Sequence, residues 1–113
     1  MNTEQPVQRQ DLLSAHLGAG KTIVKVEVKA VTLGPRVPAP LHLHPCDVVG
    51  VITAGAIAYQ IEGAEVQHLG PGDAFYEPAD VRVARFDNEG DEPARFVAFY
   101  LLQSESQNLI TLL

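Results

Sequence analysis

An all-β fold of short antiparallel strands, closed as a sandwich or barrel, is what this sequence predicts. Three observations carry that reading. About eight runs rich in Val, Ile, Phe and Tyr recur along the chain at intervals of roughly 8–12 residues. Turn residues such as Ala54-Gly55, Glu62-Gly63 and Gly70-Pro71-Gly72-Asp73 separate the runs. No stretch carries the 3.6-residue apolar period of a long amphipathic helix.

The first run starts at Thr22. Val24, Val26 and Val28 alternate with Lys25, Glu27 and Lys29, the period of an antiparallel strand with one wet face. Pro35, Pro38 and Pro40 then exclude helix and central strand, so this piece is an irregular loop or edge. Val48 to Thr53 is a β-branched run, and Ala56 to Ile61 follows with Ile57, Tyr59 and Ile61 on one face. Val66 to Leu69 is short. Ala74 to Glu77 is ended by Pro78, and Val81 to Phe86 precedes an acidic loop, Asn88 to Pro93. The last clear strand, Arg95 to Leu102, sets Phe96, Ala98, Tyr100 and Leu102 against Arg95, Val97, Phe99 and Leu101.

The chain divides into an N-terminal arm over 1–20, a barrel over 21–103 and an apolar tail over 104–113. Residues 1–10 are polar and read as loose, and Asp11 to Leu17 reads as a helical turn or an arm leading into the first strand. The tail's Asn108 to Leu113 is expected to pack on the barrel or to add to a partner subunit, because an exposed apolar terminus is a pairing hazard.

With 113 residues the chain has the size of one domain. A formal net charge of −6 argues against nucleic-acid binding and against attraction to anionic membranes. No apolar run has the length of a membrane span, and the polar start lacks a signal-peptide core. The expected location is the cytoplasm. The single cysteine, Cys46, cannot form an intrachain disulfide, and its commonest role would be that of a small buried residue.

His42 and His44 are the first candidates for chemistry. If the piece is extended, they point to one side, because strand side chains alternate faces. Two imidazoles converging from one strand face are the start of a metal site. The plain alternative is a pair of solvated or locally hydrogen-bonded histidines beside a proline turn.

These stretches resemble a small single-domain cupin, a double-stranded β-helix or jelly-roll barrel. His42-Leu43-His44 matches the H-x-H of the family's first motif, and Gly55 falls on its closing glycine. The stretch Gly72-Asp73-Ala74-Phe75-Tyr76-Glu77-Pro78 matches the second motif, followed by Pro93-Ala94-Arg95-Phe96 and Phe99-Tyr100-Leu101. The resemblance covers about residues 20–102 and implies one divalent first-row metal held by three histidines and a glutamate. This chain departs from that set. The glutamate position holds Val48, the third histidine position Val83, the second motif's inner glycine Asp80 and its asparagine Asp87.

Glu77 is the candidate replacement ligand. A carboxylate at the end of an apolar, aromatic strand is costly to bury unless it is paired or bound to a cation. Two histidines and one carboxylate would form a facial triad with open positions. The competing reading puts Glu77 on the outer side, or paired with Arg82 or Arg85. His68 is a weaker candidate ligand, and His16 reads as structural or exposed. Tyr59 and Tyr76 are candidates to line a ligand pocket, or else are core aromatics with hydroxyls at the rim. An inward Arg82 or Arg85 would anchor an anion.

The function expected is therefore a cupin barrel with a reduced metal site, His42 and His44 with Glu77 as the candidate third ligand, binding a small molecule in an unassigned reaction. The metal would be iron, manganese, zinc or nickel, with a metal-free barrel as the equal alternative. The second reading is a non-catalytic binding or sensing cupin with a vestigial site, chiefly a dimeric scaffold. A homodimer is expected on either reading.

Overall fold

The computed structural model describes residues 6–113, so the first five residues of the expected arm lie outside the described residues. Nine strands follow in order: β1 (Lys25–Leu33), β2 (His42–Leu43), β3 (Asp47–Ala54), β4 (Ile57–Ile61), β5 (Gln67–Leu69), β6 (Ala74–Glu77), β7 (Val83–Asn88), β8 (Ala94–Leu102) and β9 (Thr111–Leu112). No helix occurs among the described residues, so none could cross a membrane. Asp11 to Leu17 is arm without helix.

The strands form two antiparallel sheets, β1-β8-β3-β6 and β5-β4-β7-β2-β9. The core lies between them. Val48 and Ile52 on β3, Phe75 on β6, and Phe96, Ala98 and Leu102 on β8 face it from the first sheet. Ile57 and Tyr59 on β4 and Phe86 on β7 face it from the second. Phe75, Phe86 and Phe96 meet edge to face, with centroids 5.0–5.7 Å apart, the arrangement that sets each ring's positive edge on a neighbour's negative face.

Two glycines are required by geometry. Gly55 has φ +86, and a Cβ there would come within 2.7 Å of the Ala94 Cα, which accounts for glycine at this turn. At Gly50 a Cβ would collide with the Phe75 ring and the Val97 carbonyl. Asp80, at the motif's glycine position, keeps the left-handed conformation with φ 62, which Asp tolerates better than most residues.

The first strand reverses the usual meaning of its alternation. The register opposes Lys25 to Leu102, Glu27 to Tyr100 and Lys29 to Ala98, so the charged residues share the inner side of the sheet. Val24, Val26 and Val28 lie on the outer side and are 50–56% exposed. β1 is an edge strand. Lys25 contacts Glu27 and Glu105 across the open flank, so its charge stays solvated without turning outward.

Beyond β8 the tail turns back. β9 pairs with β2, opposing Leu112 to His42 and Thr111 to Leu43, so the apolar terminus becomes an added edge strand of the second sheet. Its side chains stay exposed, Leu112 at 65%.

Candidate metal centre

The two histidines begin on β2, where the proline-rich loop delivers the chain into the second sheet. Both rings are buried, and their centroids lie 5.0 Å apart. The Nδ1 of His42 lies 2.8 Å from the Pro40 carbonyl oxygen, and the Nδ1 of His44 lies 2.7 Å from the Leu109 carbonyl oxygen. A carbonyl can only accept, so each Nδ1 donates its proton. That leaves Nε2 as the nitrogen able to offer a lone pair, the arrangement in which an outer hydrogen bond orients a metal-binding imidazole.

Glu77 approaches from β6 in the opposite sheet. It is buried, and its Oε2 lies 2.7 Å from His44 Nε2. Burial acts to lower the His44 pKa, but the hydrogen bond and charge of Glu77, helped by the Leu109 carbonyl, outweigh it and leave the value raised. His42, His44 and Glu77 each offer one ligand atom, and these atoms all lie within 4.8 Å of one another. Two donors about 2.1 Å from one ion at a right angle stand about 3.0 Å apart, so the His44–Glu77 spacing suits adjacent ligands. Two imidazole nitrogens and a carboxylate are also a donor set that first-row divalent metals accept.

The register explains how a carboxylate reaches the site when Val48 occupies the expected position. Val48 on β3 stands directly opposite Glu77 on β6, and cross-strand partners on one face lie about 4.5–5.5 Å apart at Cβ. Val83 stands opposite His42 in the same way. Both valines are fully buried.

The group sits at one side of a cavity of about 170 Å³ between the sheets. Phe75, Phe86, Phe96, Val31 and Val48 contribute apolar wall, and Ile110 from the tail lies at its edge.

The remaining sequence candidates lie elsewhere. Tyr59 and Tyr76 do not line this cavity. The Tyr59 hydroxyl donates to the Tyr76 carbonyl oxygen at 2.6 Å, and the Tyr76 hydroxyl donates to Asp47 at 2.9 Å. Burial raises both hydroxyls, with Glu77 adding for Tyr59 and Asp47 for Tyr76, the latter reaching about 12. His68 is exposed and pairs with Glu89 at 2.8 Å, and His16 is exposed. Arg82 pairs with Glu62 and Arg85 with Asp87, all four away from the cavity. Cys46 is buried, and burial followed by the Asp47 charge pushes its thiol up to about 11, so it is protonated and inert.

Two contributions escape a reading of side-chain types. Tyr100 is the tyrosine of the cavity, its ring edge-on to His44 at a centroid distance of 5.9 Å. Its strand is apolar on both faces, so alternation groups it with Phe96 and Ala98 without telling which face is inward. The Leu109 carbonyl belongs to the backbone, and no residue type announces it.

A cupin domain model matches residues 29–100, more than half of the chain. No curated protein matches the chain. Among solved structures, the DMSP lyase DddQ from Ruegeria pomeroyi is 22% identical with a TM-score of 0.65, over 77% of this chain and 42% of that one. An oxalate oxidase in complex with the substrate analogue glycolate is 22% identical with a TM-score of 0.66, over 78% of this chain and 46% of the other. An uncharacterized conserved protein with a double-stranded β-helix domain from Klebsiella pneumoniae is 21% identical with a TM-score of 0.63, over 82% and 80%. The chain spans less than half the length of the lyase and oxidase chains, and at these identities the likeness is one of fold. The motif match and the two-sheet barrel agree, and the chain belongs to the cupin family.

Proposed function

We propose that this cupin binds one divalent first-row metal through the Nε2 atoms of His42 and His44 and the carboxylate of Glu77, and holds a small molecule beside it. The observation that carries the reading is the buried His44–Glu77 contact at 2.7 Å, with both histidines tied through Nδ1 to backbone carbonyls. A buried carboxylate beside two oriented imidazoles is expensive unless a proton or a cation compensates it. When bound, the metal supplies Lewis acidity or dioxygen activation. The protein's own part is to orient the two rings, bury Glu77 and surround the site with apolar wall. Three protein ligands leave coordination positions for a small-molecule oxygen. A cytoplasmic setting is part of the same reading, supported by the lone unpaired cysteine.

Metal analysis after repletion tests it. The wild-type protein is expected to retain close to one equivalent of iron, manganese, zinc or nickel, and His42→Ala to lose it. Retention below about a tenth of an equivalent, unchanged in His42→Ala, would sink the reading.

One observation favours the second reading, a dimeric barrel whose main role is binding or scaffolding. The outer face of β1 exposes Val26 and Val28, continued by Val24 just before the strand, a stripe that a second copy of the chain would cover.

A further inference from the structure

The cavity has polar groups at one place and apolar wall elsewhere, and this asymmetry bears on the ligand. Its volume of about 170 Å³ is close to that of a cavity of roughly 150 Å³ that admits one benzene ring. Phe75, Phe86 and Phe96 supply ring faces and edges. The polar groups are His42, His44 and Glu77, with Tyr100 next to His44. No lysine or arginine lines the cavity among the described residues. Lys21 is engaged by Asp47 on the outer side, and Lys25 by Glu27 and Glu105. Lys29 is the cation opposite a cavity residue, Ala98, and it is exposed and outside the lining.

We infer that the metal-free cavity takes a neutral molecule of about one six-membered ring carrying a single hydroxyl or carbonyl oxygen, of which phenol is the simplest example. In the metal-free protein an anionic carboxylate or phosphate would enter an apolar space with no lysine or arginine to meet it, next to the Glu77 carboxylate, and an unpaired buried charge is heavily penalised. A ring stacks edge-to-face on the three phenylalanines. Its one oxygen then lies toward the histidines and Tyr100, where hydrogen bonding or a metal satisfies it. This inference rests on the proposed metal centre only for the direction of the oxygen. The ring's place depends on the cavity alone.

Calorimetric and NMR titration of the metal-free full-length chain separates the two ideas. Phenol is expected to bind at least about tenfold more tightly than benzoate or glycolate, because those probes must bury a charge. Val31→Phe, which fills the wall from a half-buried position, and Ile110→Phe, which crowds the edge from an exposed one, are both expected to weaken phenol binding. If the first variant does not fold, the second still reads the cavity. Benzoate or glycolate binding as tightly as phenol, and losing that affinity in Lys29→Ala, overturns the inference and makes Lys29 an anion anchor. Failure of phenol to bind, or binding indifferent to both substitutions, overturns it too. Phenol binding in a protein that never retains metal leaves this inference standing and removes the metal centre.

Discussion

Asp47 illustrates what a single side chain does here. Its side chain is 2% exposed and accepts hydrogen bonds from Lys21 at 2.7 Å, the Tyr76 hydroxyl at 2.9 Å and the Ala79 amide at 2.9 Å. It thereby ties the segment just before β1 to β3 and to the turn after Glu77. Burial acts to raise its pKa, but those three donors and the Lys21 charge prevail and lower it below the usual 3.8. A carboxylate with a depressed folded-state pKa stabilises fully above its unfolded value, and the contribution disappears as pH falls through the folded value. Asp47→Asn is therefore expected to cost about 2–4 kcal/mol at pH 7, by loss of charge-assisted bonds. Urea titrations of both proteins check this, with the gap shrinking as pH drops below about 4. A gap that stays constant down to pH 2 would contradict it. Among the site residues, His42, His44 and Glu77 were legible as types: an H-x-H on a strand and a carboxylate stranded in an aromatic run. Tyr59 and Tyr76 were equally visible, yet their hydroxyls are spent on a carbonyl and on Asp47. Side-chain chemistry alone does not tell a cavity tyrosine from a bracing one.

At the level of elements, the strand runs and their turns were readable because each obeys local rules of alternation, β-branching and turn chemistry. The H-x-H placement, the closing Gly55 and the Gly72 to Pro78 stretch carry the cupin resemblance, which the match of the cupin domain model bears out. β1 shows the limit. Its valines alternate with charges as in a strand with a buried apolar face, but at a sheet edge the tertiary setting decides which side is covered. The tail shows another limit, since its role at the site runs through a backbone carbonyl. β9 is two residues long, yet it pairs with the histidine strand, and Leu109 just before it accepts from His44 Nδ1. Removing residues 109–113 should lower metal affinity about 10- to 100-fold, the usual effect of losing an outer partner of a metal-bound histidine. Metal titration monitored beside circular dichroism checks this. Unchanged affinity in a folded truncated barrel would show that the tail does not orient His44.

For the whole molecule, the exposed valine stripe on the outer side of the first sheet sets the question of assembly. At roughly 3.3 Å rise per residue and about 4.8 Å between strands, the four strands, of which β6 is only 4 residues long, give an area near 480 Å². That is more than half of the roughly 800 Å² per partner in a standard interface, and exposed Leu12 and Leu13 on the arm adjoin the same face. A two-fold pairing of these faces would cover the valine stripe with its own copy. Wild-type protein is expected to sediment as a dimer, and Val26→Lys, exposed in the single chain and so harmless to its folding, as a monomer. A monomeric wild type would remove the scaffold reading but leave the metal centre intact, because its three ligands come from one chain. The central claim is most directly tested by anomalous diffraction from a crystal grown with the metal the repleted protein retains. The account predicts one peak within about 2.0–2.3 Å of His42 Nε2, His44 Nε2 and a Glu77 oxygen. A fully occupied metal held elsewhere, or a cavity without a peak and with the Glu77–His44 hydrogen bond intact, would contradict it.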